Sequence, residues 1–140
     1  LPGTIFVAIF NKICINEFID SNVVIAVIEY YFIGLILSRI GSIILQPIFK
    51  KTKLIKYADY NKYIQASEED NKLEILQREA NQYRTYIATF IILLIIQSYT
   101  CIVNRNFSII LILFVGLVVL FILAYKKQIK FIVNRVENQN

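Results

Sequence analysis

The chain has no histidine, no tryptophan and no methionine, and only two cysteines, two prolines and four glycines in 140 residues. Losing histidine removes the usual acid–base group at neutral pH, and two cysteines alone leave almost no room for a His/Cys metal site. The sequence also lacks a phosphate-cradling glycine loop, a dinucleotide fingerprint, a nucleophile elbow and any pair of carboxylates spaced for catalysis. No catalytic residue, no metal and no cofactor are therefore expected. The lack of an initiator methionine is read as a start inside a longer protein. Scarce proline and glycine mean few forced breaks, and none falls anywhere in residues 67–103.

Apolar residues fill the space these absences leave. The chain is 57% hydrophobic, against about 45–50% for ordinary soluble domains. That is more aliphatic surface than one core of this size can bury. Residues 23–45, 86–103 and 107–125 are each long enough to cross a hydrocarbon layer of about 30 Å. A shorter apolar segment, residues 1–15, is interrupted by Asn11 and Lys12 and reads as a partial span, with Pro2-Gly3 as a break or kink in it. The expected fold class is an all-α integral membrane protein: a bundle of three to four transmembrane helices with a cytoplasmic helical insert. Four parts follow: N-terminal membrane segments (1–47), the insert (48–85), a transmembrane hairpin (86–125) and an amphipathic tail (126–140). Gln46-Pro47 is expected to end the first full span, because a residue before proline disfavours helix. The tight link at residues 104–106 makes the two helices beside it antiparallel neighbours.

The net charge of +5 lies beside the apolar segments rather than in a basic domain of its own. This favours lipid headgroups over any specific nucleic acid, with Lys50, Lys51, Lys53, Lys126 and Lys127 as the headgroup contacts. Residues 50–84 hold eight Lys/Arg and residues 126–140 hold four, against Arg105 and Lys12 on the other side. By the positive-inside rule the insert and the C-terminus face the cytoplasm, across the inner (plasma) membrane.

Within the insert, Asp59 is placed to cap a short helix carrying Tyr60, Tyr63 and Ile64 on one face. Tyr57, Tyr60 and Tyr63 read as an interfacial aromatic belt or a partner surface. A single helix is expected over residues 67–103, opened by Ser67 and Asp70 as a capping box and by the acidic run Glu68-Glu69-Asp70. Its stripe of Leu73, Leu76, Ala80 and Tyr83 continues to Ile87 in the apolar part and is the candidate face for a partner or for self-association. Ile129, Ile132, Val133 and Val136 repeat at i, i+3, i+4 and i+7, and the two stripes are expected to pair outside the membrane.

Three intramembrane polar residues stand out. Glu29 lies roughly 9 Å into its span; it is either an ion, proton or gating site, with Gln97 or Ser98 at similar depth, or a carboxyl bonded to nearby Tyr or Ser. Arg39 sits near the cytoplasmic end and can snorkel to phosphate groups. Gly34, Ser38 and Ser42, with Gly41 beside them, form a small-residue face suited to helix packing, between copies or within one chain. Cys14 and Cys101 sit toward the same side and are read as free thiols. The Asn106-Phe107-Ser108 triplet abuts the membrane too closely for glycosylation.

The block Tyr31-Phe32-Ile33-Gly34, Ser38-Arg39-Ile40-Gly41-Ser42, Tyr57-Ala58-Asp59-Tyr60 and Asn81-Gln82-Tyr83-Arg84-Thr85, with Leu1-Pro2-Gly3, resembles uncharacterised small bacterial multi-pass membrane proteins. Proteins of this sort occur in anti-phage defence operons, so the resemblance implies a sensor or a membrane-damaging effector. The expected function is that of a non-enzymatic, homo-oligomeric membrane protein, whose cytoplasmic helices receive a soluble partner from the same operon. The alternatives are a small channel or transporter subunit using Glu29 and a passive anchor for a soluble partner.

Overall fold

A computed structural model describes residues 2–14, 22–104 and 109–139. Every regular element among them is helical: α1 (Pro2–Cys14), α2 (Val23–Ile40), a π-helical segment (Gly41–Leu45), α3 (Gln46–Lys51), α4 (Tyr60–Glu69), α5 (Asn71–Asn104) and α6 (Ile109–Gln139). Three stretches, Val23–Lys51, Asn71–Val103 and Ile109–Glu137, are helices long and apolar enough to cross a membrane. At 13 residues, α1 is only about 20 Å long, short of a full crossing.

The two longest helices form the frame. At 34 and 31 residues, α5 and α6 are each roughly 50 Å long, with a charged half and an apolar half. Lys126 and Lys127 do not interrupt α6, so the tail is one helix with the apolar segment before it. The stripes expected to pair do so: Leu73, Ala80, Ile129, Ile132 and Val136 are all buried in one cluster, with Leu76, Tyr83 and Val133 packed against it. Gln128 Nε2 donates to Glu79 Oε2 across the seam at 2.8 Å, and Arg135 forms an ion pair with Asp70. Leu73 and Ala80 are left with no exposed surface. The face assigned to a partner or to self-association is therefore occupied by α6 of the same chain.

The long helix starts later than its periodicity implies. Asp70 is extended (φ −132°, ψ 95°) and separates α4 from α5. Its carboxylate accepts from the Lys72 amide at 3.0 Å, capping α5. Ser67 does not form the expected capping box, because its hydroxyl bonds back to the Ile64 carbonyl at 2.8 Å. A carboxylate that both caps α5 and pairs with Arg135 competes with helix continuation, and the break follows. Asp59 caps α4 as its position implies, accepting from Asn61 N at 3.0 Å.

Proline 47 does not end its helix either. The Gln46 amide bonds to the Gly41 carbonyl, five residues back. This wider turn moves the register just before the proline ring, so the chain stays helical to Lys51. Pro2 and Gly3 are both helical, at the start of α1.

The small-residue face is used inside the chain. Gly3 of α1 lies on the α2 backbone at Tyr30 and Gly34, and Gly41 lies against the Arg84 backbone of α5. On the other side, α2 leaves Val24, Val27, Ile28, Tyr31, Phe32 and Leu35 exposed. Only 6% of the apolar window of α2 and 11% of that of α6 is buried. Apolar surface this continuous is unusual on a monomer in water.

Candidate functional site

The charged and apolar halves meet at a junction built from α3, the 52–59 connection, α5 and α6. Arg84 is the last charged residue before the apolar half of α5 and is only 8% exposed. The π-helical segment turns Gln46 toward it, and Arg84 Nη1 donates to Gln46 Oε1 at 2.5 Å. Arg84 Nε is buried with no hydrogen-bond partner. A buried cation held by a neutral amide is costly, and the π-helical backbone at Gly41 packs against its aliphatic stem.

Beside it, the hydroxyls of Tyr57 and Tyr125 meet at 3.2 Å. Tyr125 is 1% exposed and stacks at a tilt on Phe49, with ring centroids 5.9 Å apart. Burial first, and then the Tyr125 hydroxyl, push the Tyr57 phenol well above its ordinary value near 10, while the Arg84 charge pulls it down. The folded state therefore favours neutral Tyr57 over the ionised form that the unfolded chain adopts above pH 10. This stabilisation is complete below pH 10 and is lost as pH rises beyond it. The thermal midpoint is expected to fall above pH 10, and to fall less steeply in Tyr57→Phe. Equal slopes would contradict the placement. Tyr63 is also raised, by burial and then by the Glu74 charge, whereas Tyr60 is exposed.

Above the junction an aromatic column runs between the long helices. Phe121 lies 5.1 Å from Tyr86, 5.5 Å from Phe90 and 6.3 Å from Tyr83, centroid to centroid. It packs against both the charged-half cluster and the apolar-half cluster of Phe90, Leu93 and Phe114. Hydroxyls in the apolar half are satisfied within α5: Thr89 bonds Thr85 O at 2.9 Å, Ser98 bonds Leu94 O at 2.7 Å and Thr100 bonds Ile96 O at 3.0 Å. Such internal bonding is what a hydroxyl needs where no water reaches it.

The other sequence candidates lie apart from this junction. Glu29 Oε2 is buried without a partner. Gln97, 7% exposed, turns along its own helix, and its Nε2 donates to Cys101 Sγ at 3.6 Å. The two are not joined by these contacts. Arg39 is exposed beside an apolar hollow lined by Phe32, Ile36 and Ile43. Ser38 lines a hollow of about 280 Å³ with Gly34, Asn81 and Thr85. Cys101 is a free thiol. The Cys14 side chain, Arg105 and the Asn106-Phe107-Ser108 triplet lie outside the described residues. Among the described residues no group of His, Cys, Asp and Glu could hold a metal ion. Sequence reasoning missed Gln46 and Tyr125 and quoted Arg84 only within a motif; the one available signal was an arginine and a glutamine bordering apolar spans.

No protein-family model matches the chain, and neither a curated protein nor a solved structure matches it significantly.

Proposed function

We propose that this chain is a non-catalytic integral membrane protein that couples events at its charged helices to the arrangement of its membrane spans. The observation that carries the reading is the unbroken core: Phe121 belongs to both clusters, so the two halves cannot repack independently. The Arg84–Gln46 clamp ties α3, the end of the Val23–Lys51 stretch, to α5, so a displacement there reaches a third span. Interiors packed this closely shift as units rather than deform locally. The exposed apolar face of α6 meets lipid, and the positive-inside bias puts the charged ends of α5 and α6 in the cytoplasm.

In this reading the chain acts as a homo-oligomer, and the self-association surface is the outer face of α2 rather than the Leu73 stripe, which α6 covers. A sensor or effector role in bacterial defence rests on the sequence resemblance. Crosslinking in native membranes is the test. Dimers or larger species that decline when Phe32 and Ile36 are replaced by serine support the proposal; recovery of monomers alone, before and after activation, overturns its oligomeric part.

A further inference from the structure

We propose that the groove between the 52–59 connection and α6 is a binding site for an anionic phospholipid, its phosphate held by Lys53, Lys56, Lys126 and Lys130. The groove encloses about 330 Å³, and no acidic side chain lines it. Lys126 and Lys130 stand one helical turn apart on α6, with Val133 continuing the same face. Ile55, 4% exposed, sits under the connection as an apolar floor. All four lysines are exposed, and neither ion pair among the described residues involves them.

Backbone geometry adds to the charge argument. Lys53 has φ 54°, a left-handed conformation disfavoured for any residue with a Cβ. The turn is held by Lys53 N donating to Lys50 O at 3.2 Å, and it folds the connection back over α6. Lys126 directly follows the uncharged run that ends at Tyr125, so the groove opens beside an exposed apolar surface. One ligand matches that combination: a phosphate for the lysines, with acyl chains that lie along α6. A soluble phosphate would use the charge and leave the apolar approach empty. The grouping also redraws the headgroup contacts read from sequence. Lys50 and Lys51 lie outside this groove, and Lys127 turns to the Phe131 ring, 5.9 Å from its centroid.

The inference rests on the membrane reading above, and the experiment separates the two. The full chain is reconstituted in phosphatidylcholine nanodiscs, and phosphatidylglycerol retention is measured by native mass spectrometry as its fraction rises. Failure to enter neutral nanodiscs defeats the membrane reading itself. Entry with preferential retention of phosphatidylglycerol is expected, weakened about tenfold or more by K56Q/K130Q and about twofold or less by K50Q/K51Q. Unchanged helicity of both variants in neutral lipid excludes misfolding as the cause. Three results would overturn the proposal: equal retention of the two lipids, equal loss in the two variants, or equally effective competition by free glycerol 3-phosphate or an acidic peptide.

Discussion

Gly3→Val is expected to detach α1 from α2. A Cβ at Gly3 would overlap the Tyr30 carbonyl oxygen and stand 2.9 Å from the Gly34 nitrogen and 3.0 Å from the Tyr30 carbonyl carbon. All three are backbone atoms inside α2, so no side-chain rotation relieves the clash. The helices must separate, and Gly34 loses its closest neighbour. A cost of about 3 kcal/mol or more follows for forced expansion at a backbone contact. The measurement is the thermal midpoint in detergent, with protease cleavage near α1 as a local readout. Gly116→Val is the control, since a Cβ there meets nothing within 4 Å. Equal midpoints for the two variants would contradict the packing of α1.

Phe121→Ala is expected to uncouple the two halves of the α5–α6 pair. Its ring is shared by both clusters, and truncating a phenylalanine in such a site costs about 3–5 kcal/mol when it is fully enclosed. Phe121 is half-buried, which places the loss at the lower end. The more specific consequence is dynamic. In the parent chain, amides near Ala80 and near Leu93 should exchange hydrogen through a common opening. In the variant the charged half should open separately and exchange faster, while the apolar half keeps its protection. Parallel loss in both halves would mean that coupling does not run through this ring.

Local patterns carried much of the fold. The 3-and-4 spacing of Leu73, Leu76, Ala80 and Tyr83, and its counterpart from Ile129 to Val136, sufficed to pair the helices, because amphipathic period and a short link leave one arrangement. Asp59 was readable as a cap from its chemistry alone. Pro47 misled because local propensity cannot show a π-helical turn formed by packing at Gly41. Asp70 looked like a first-turn acid, and its role as a break depends on Arg135, 65 residues away. The close approach at Gly3 was not readable because the contact that requires it belongs to another helix. The junction was hidden for the same reason: Gln46, Tyr57, Arg84 and Tyr125 come together only once α3, the 52–59 connection, α5 and α6 have docked.

Whether lipid is the solvent for the exposed apolar faces can be measured by nitroxide accessibility at four positions of similar exposure. Ile95, Ile112 and Leu123 are 61%, 57% and 61% exposed on the apolar helices, and Ile75 is 56% exposed on the charged half of α5. With the chain in bilayers, labels at 95, 112 and 123 should collide freely with oxygen and be shielded from a water-soluble nickel complex, while the label at 75 should show the reverse. Nickel access at all four positions would place those helices in water and contradict the account.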